Sequence, residues 1–151
     1  PHIFSVAQHA LLVEAIAARL APDLGDRDRL IVLLHDASEY VVGDLISPFK
    51  AALGADYKAV ETRILAAVHL RFALPAAAPQ RVAALAKQAD RIAAYVEATK
   101  LAGFSFEDAD AIFGRPSLDL SPFLPMLASI PADEAEGRFM TRFAALDRSA
   151  R

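Results

Sequence analysis

The chain has 151 residues, 55% of them hydrophobic and 23% charged, a balance typical of one globular domain over residues 1–151 rather than of a disordered chain. The formal net charge is −3 and the basic residues are scattered, which argues against duplex nucleic acid as a partner. The sequence has no cysteine and no apolar run approaching a membrane span, which excludes thiolate chemistry and predicts a cytoplasmic protein that does not bind membranes.

The sequence predicts helices throughout, because apolar residues recur at steps of three and four and no segment alternates with period two. Ser5 suits the N-cap of a first helix that ends near Leu20, and His9 falls on its apolar face. The other predicted helices cover residues 26 or 28 to 43, 49–53, 56–72, 79–101, 106–113 and 133–148. Residues 121–130 form a short apolar segment. The predicted fold class is all-α, a bundle of about five to seven helices.

The stretch from residue 35 to residue 50 is unusually rich in ionisable side chains. It follows the apolar run 30–34 directly, so the end of a buried helix turns abruptly polar. Its charged and histidine side chains are His35, Asp36, Glu39, Asp44 and Lys50. Unpaired charge beside a core costs several kcal/mol, and a bound metal ion is the compensation that this pattern favours.

A metal site here needs ligands beyond His35 and Asp36. The candidates are His9 and Asp90, since each interrupts an otherwise apolar face of a different predicted helix. Without cysteine the ligands must be imidazole and carboxylate, a combination that borderline divalent metals accept. The sequence therefore predicts four ligands that converge from three directions.

Candidate catalytic residues flank these ligands. Glu39 lies four residues after His35, one helical turn along on the same face, which is a position for a general base that holds water. Asp44 lies in the following turn, where it is a second candidate acid or base. Lys50 and Lys87 are the nearest cations for an anionic oxygen of a substrate.

Each candidate also has a structural interpretation. A single His9 on an apolar face is more often a satisfied core histidine than a ligand. Asp90 lies between Lys87 and Arg91, which is also typical of a solvated helix face with helical ion pairs. Asp44 after a glycine is an ordinary turn residue.

The set His9, His35 with Asp36, and Asp90 resembles the signature of the HD-domain metal-dependent phosphohydrolases. More narrowly, HDASEYVVGDLISPFK and KQADRIAAYVEATKLAG resemble the branch that contains the bacterial deoxynucleoside 5′-monophosphatases. In that branch the doublet is followed by a Glu, a Gly-Asp and a Ser/Thr-Pro-x-Lys. The opening SVAQHALLV is similar to the helix that carries the first histidine, and the resemblance covers residues 4 to about 103.

The resemblance implies a helical bundle in which four side chains bind one divalent ion such as manganese, cobalt, zinc or iron: His9, His35, Asp36 and Asp90. It implies that Glu39 and Asp44 handle the attacking water and the leaving group during hydrolysis of a phosphomonoester. The leading substrate class is then a (deoxy)nucleoside 5′-monophosphate.

One feature separates the sequence from those monophosphatases. They carry an Arg-Trp pair upstream of the first histidine that contacts phosphate and sugar, whereas this sequence has no tryptophan. Either that segment was lost or trimmed, or the protein belongs to a sibling group within the same branch that acts on another phosphomonoester or on none that is known. The alternative from a different class is a non-catalytic helical module that binds nucleotide or phosphate, but such a module would not need Glu39 and Asp44. The apolar segment 123–130 also suggests a homodimer.

Overall fold

The structure, a computed structural model, describes residues 2–43, 45 and 47–149. Over these residues the chain forms seven α-helices and one 3₁₀ helix, without strands, which confirms the predicted all-α class. The elements are α1 (Val6–Leu20), α2 (Asp26–Leu33), α3 (Glu39–Val42), α4 (Ser47–Arg71), α5 (Gln80–Lys100), α6 (Phe106–Phe113), the 3₁₀ helix (Ser121–Leu127) and α7 (Ala132–Ser149). Among the helices of this described part, none combines the length and apolar character needed to cross a membrane.

Helix α1 begins where the sequence predicts. The Ser5 hydroxyl accepts a hydrogen bond from the Gln8 N–H, and the Gln8 side chain accepts one from the Ser5 N–H, so both ends of a capping box are present. Further along the helix, Leu12, Val13 and Ile16 are completely buried. These contacts place α1 at the centre of the molecule, packed on α2, α5 and α7.

A buried carboxylate joins three of these helices. Glu14 of α1 accepts a hydrogen bond from Arg29 of α2 at 2.6 Å. Arg142 of α7 donates to both of its carboxylate oxygens, at 3.0 and 2.8 Å. Because the Glu14 side chain is only 5% exposed, its charge depends on these two arginines. The ion-pair cluster therefore fixes α2 and α7 against α1.

The second helix ends earlier than predicted. Helix α2 stops at Leu33 and residues 34–38 form a turn before the short α3. The Val32 carbonyl accepts from the His35 N–H at 3.2 Å and also contacts its Nδ1 at 2.9 Å, so it is satisfied without the hydrogen bond that a continuing α-helix would supply. The prediction of one helix from residue 26 or 28 to residue 43 is wrong, and a turn presents His35 and Asp36.

The later elements follow the sequence closely. The predicted break before residue 56 is a kink at Gly54, whose φ of 75° is a left-handed conformation that glycine adopts readily. Helices α5, α6 and α7 begin and end within a residue or two of their predicted bounds. The apolar segment near residue 121 forms the 3₁₀ helix, and it buries Phe123 and Leu127 in the chain's own core.

Candidate metal centre

The structure brings all four predicted ligands to one place. His9 comes from α1, His35 and Asp36 from the turn after α2, and Asp90 from the middle of α5. His9 Nε2 lies 3.2 Å from Asp90 Oδ1 and 3.6 Å from Asp36 Oδ2. His35 Nε2 lies 3.1 Å from Asp36 Oδ2. One ligand atom each from His9, His35 and Asp90 lies within 4.8 Å of the others, a spacing that suits a single ion.

Small side chains allow this convergence. Ala10 follows His9 on α1, and Ala89 precedes Asp90 on α5; both alanines are buried, as is Ala93 one turn later. Alanine at such positions lets two helix backbones approach closely, which shortens the distance between the polar side chains beside them. In each helix a small buried residue therefore stands next to a potential ligand, His9 on α1 and Asp90 on α5.

The ring of His35 is oriented as a ligand. Its Nδ1 lies 2.9 Å from the Val32 carbonyl, which can only accept, so Nδ1 carries the hydrogen and Nε2 faces the site. Nε2 is buried and has no hydrogen-bond partner of correct geometry, although Asp36 Oδ2 is close. In the neutral ring two electron-rich atoms thus face each other, an arrangement that a bound cation would relieve.

The ring of His9 is held by a carboxylate. Its Nδ1 lies 2.7 Å from Glu97 Oε1, so Nε2 points towards Asp36 and Asp90. Burial favours the neutral ring, but Asp90 and Glu97 outweigh burial and raise the pKa of His9 from 6.5 to about 10. The cluster therefore favours positive charge at its centre, supplied by a proton or by a cation.

Asp36 also responds to this environment. Burial opposes its ionisation, but the contacts with His35 and His9, together with Lys50, hold the pKa of the carboxyl below its ordinary value. Asp36 is thus poised as a carboxylate, the form that binds a metal ion.

Sequence reasoning missed Glu97. It lies seven residues after Asp90, so it occupies the same face of α5 two turns along, between the buried Val96 and Ala98. That position could have identified Glu97 from the sequence, because an acidic side chain on a buried helix face needs a polar partner. A carboxylate on the second nitrogen of a ligand histidine fixes the tautomer and the ring orientation.

The predicted general base has a cationic neighbour. Glu39 is the first residue of α3, and its carboxylate accepts from Lys50 Nζ at 2.9 Å. Lys50 also lies 3.2 Å from Glu61 of α4, a further residue absent from the sequence prediction. Burial lowers the pKa of Lys50, but the two carboxylates outweigh burial and raise it above its ordinary value. The predicted contact of Lys50 with phosphate stays a prediction.

The two other predicted residues are Asp44 and Lys87. Asp44 lies outside the described residues. Lys87 is exposed on α5, one turn before Asp90, and its predicted role in substrate binding also stays a prediction.

The donor set fits a divalent transition metal. Two imidazoles and two carboxylates are ligands that zinc, manganese, cobalt and iron accept, and no thiolate is needed. Each histidine has a second contact at Nδ1 that leaves Nε2 directed into the site. The buried Nε2 of His35, with no partner of suitable geometry in the described part of the chain, is the clearest single sign that these residues suit a cation.

Comparison with known proteins agrees with this geometry. The family model described as HD domain matches residues 6–95, more than half of the chain, and spans His9, His35, Asp36 and Asp90. An uncharacterized protein of Rhodobacter capsulatus is 47% identical over 148 residues, which cover 98% of this chain and 75% of the relative. The chain therefore belongs to the HD domain family, whose members are generally metal-dependent phosphohydrolases.

Proposed function

We propose that the protein cleaves a phosphomonoester, with a (deoxy)nucleoside 5′-monophosphate as the leading substrate class, and that it acts in the cytoplasm. The observation that carries the proposal is the convergence of two imidazoles and two carboxylates from three separate elements. The nucleotide class rests on the resemblance of residues 35–50 and 87–103 to the deoxynucleoside 5′-monophosphatases. The cytoplasmic location is supported by the absence of cysteine.

His9, His35, Asp36 and Asp90 would hold one divalent ion. When bound, such an ion polarises a phosphoryl oxygen and lowers the pKa of water, so that a nucleophile is available near neutral pH. The residues of the chain orient this site: Glu97 and the Val32 carbonyl fix the two imidazole rings through Nδ1.

Glu39 takes the proton of the attacking water. Its side chain is 8% exposed, and Lys50 holds its Oε1 at 2.9 Å, which orients the carboxylate. Water then adds to phosphorus while the bond between phosphorus and the ester oxygen breaks, which yields inorganic phosphate and an alcohol. Asp44 returns a proton to the ester oxygen as it leaves, in the role that the family resemblance implies.

The decisive experiment combines metal analysis with a substrate panel. Elemental analysis of purified protein should show close to one transition metal per chain, and His35→Ala or Asp36→Ala should lose it. His2→Ala is the matched control, because His2 is exposed and is not one of the predicted ligands. Phosphate release from a panel of phosphomonoesters, measured with added manganese or cobalt, then identifies the substrate. A metal-free protein that a chelator does not affect contradicts the proposal, and a metal-loaded protein that hydrolyses nothing points to the non-catalytic module.

A further inference from the structure

A cavity of about 460 Å³ lies beside the metal centre. Asp36 and Glu39 form its polar side, so it is continuous with the predicted ligands and the predicted general base. The rest of its wall is apolar and comes from α1, the end of α2 with its turn, α3 and α7. Residues that represent these elements are Val6, Ala7, Leu34, Ala37, Tyr40 and Phe139.

The chemistry of this wall selects what can fill it. The volume falls within the roughly 300–1,000 Å³ of small-molecule sites. Of the described residues that line the cavity, Asp36 and Glu39 alone are charged, and none carries a positive charge that would attract an anion. A phosphate group therefore has no favourable place against the apolar wall. An uncharged group gains by covering it, since burial of apolar surface contributes about 25 cal/mol per Å².

We propose that this cavity holds the leaving group of the substrate, and that this group presents a planar aromatic surface to the apolar wall. The proposal rests on the phosphohydrolase function above. Phe139 gives the wall a half-buried aromatic side chain, whereas Tyr40 also lines the cavity but is 95% exposed, so Phe139 carries most of the aromatic contact. The Tyr40 hydroxyl is the one uncharged polar side-chain group among the described lining residues. An aryl ester and a nucleoside with its base against the wall share this chemistry. Recognition then depends on shape and apolar contact, and hydrogen bonds to the edge of a base contribute little.

Phe139 is the specificity-determining residue of this cavity. It lies on α7, outside the residues matched by the HD domain, and it is half-buried against the core. Two contacts anchor α7 one turn after Phe139. Arg142 donates a hydrogen bond to Glu14, and Phe143 packs edge-on against Phe72 with ring centroids 4.8 Å apart. The C-terminal helix therefore supplies a fixed wall to a site whose ligands come from α1, α2 and α5.

Binding of two phosphonates to the metal-loaded protein tests the cavity without turnover. Phenylphosphonate and methylphosphonate share the anionic group, and neither has an ester bond to break. Calorimetry should show phenylphosphonate binding about tenfold more tightly, as expected for burial of one ring. Ala7→Leu fills the cavity from α1 and should remove the preference. Ala84→Leu, on the exposed face of α5, is the matched control and should keep it.

A second pair of variants tests Phe139. Phe139→Ala should weaken the binding of phenylphosphonate and leave the binding of methylphosphonate unchanged. Met140→Ala, at an exposed position of the same helix, should leave the ratio of the two affinities unchanged. Circular dichroism and metal content must match the parent protein for each variant, and Ala7→Leu decides the question if Phe139→Ala does not fold. Equal affinity for both phosphonates in the parent protein, or an unchanged preference in Ala7→Leu, overturns the proposal.

The two proposals fail in different ways. If the protein hydrolyses phosphomonoesters but does not bind phenylphosphonate preferentially, the proposed function stands and the cavity assignment is wrong. If it binds phenylphosphonate preferentially but hydrolyses no phosphomonoester, the cavity assignment stands and the proposed function is wrong. Adenosine 5′-monophosphate, added as a competitor of methylphosphonate, shows whether the ring in the cavity is a base or an aryl group. If it competes more weakly in Ala7→Leu than in the parent protein, the base lies in the cavity. If its competition is unchanged, the cavity is assigned to an aryl ester.

Discussion

At the residue scale, the site depends on how two imidazole rings are held. A backbone carbonyl at 2.9 Å fixes His35, and a carboxylate at 2.7 Å fixes His9. The difference matters because the carboxylate of Glu97 adds negative charge, which makes the opposite nitrogen of His9 a stronger donor to a metal. Glu97 thus acts on a metal through His9.

Glu97→Gln tests this role. The amide keeps the size and can still accept a hydrogen bond, but it lacks the charge, so we expect affinity for the metal to fall about 10- to 100-fold. Chelator competition measures the Kd. Glu136→Gln, at an exposed position of α7, should leave the Kd unchanged. Equal metal affinity in Glu97→Gln and the parent protein would show that Glu97 serves only packing.

Glu39→Gln separates catalysis from metal binding. Because the side chain is assigned to the water and not to the metal, the variant should keep its metal content and lose about 10²- to 10⁴-fold in kcat. The measurement is phosphate release from the best substrate of the panel at saturating metal. If the variant loses neither metal nor activity, the general-base assignment is wrong.

At the element scale, the turn after α2 and the short α3 position Asp36 and Glu39. The turn uses hydrogen bonds three residues back, from Ala37 to Leu34 and from Glu39 to Asp36. Helix α3 then ends at Val42, and the next residue, Gly43, has a φ of 83° and a ψ of 151°. Side chains other than hydrogen are strongly disfavoured in that region of backbone space.

Gly43→Ala should therefore destabilise the protein through its backbone alone. A Cβ at this position meets nothing within 4 Å, so the expected loss of about 1–3 kcal/mol in the free energy of unfolding comes from the dihedral angles. Urea denaturation measures it. Gly137→Ala is the control with the opposite sign, because a helical alanine on α7 should stabilise by about 0.5–1 kcal/mol. Equal stability of Gly43→Ala and the parent protein would contradict the backbone argument.

At the scale of the whole molecule, the arrangement of α1, α2 and α7 depends on Glu14 and its two arginines. The carboxylate is buried, whereas the side chains of Arg29 and Arg142 remain 27% and 29% exposed. Arg142 and Phe139 lie one turn apart on α7, so the same contact that orders the bundle also places one wall of the cavity.

Glu14→Ala should lower the free energy of unfolding by about 3 kcal/mol, the lower end for a broken buried pair, since water still reaches both arginines. Chemical denaturation measures the change. Glu134→Ala removes a pair with Arg138 on the surface of α7 and should change stability by less than about 1 kcal/mol. Similar losses in the two variants would show that the buried cluster has no special part in the fold.

Sequence alone predicted much of this molecule. The bounds of α1, α5 and α6 followed from caps and from apolar periodicity, which depend on residues a few positions apart. Of the four candidate ligands, His9 and Asp90 followed from ionisable side chains on apolar faces, and His35 with Asp36 from a buried helix that turns abruptly polar, since such groups need a partner wherever the chain folds. The family resemblance then favoured the metal site over the structural interpretation. In both cases the information was local.

Only the tertiary structure decided the rest. The apolar periodicity predicted a helix that continues through His35. In the structure the His35 ring contacts the Val32 carbonyl, which favours a turn. Glu97 became part of the site because α5 crosses α1 at His9, and the cavity exists because Phe139 of α7 faces the turn near Asp36. The contacts of Glu97 and of Phe139 join residues about 90 to 100 positions apart, and a local pattern carries no information about such contacts.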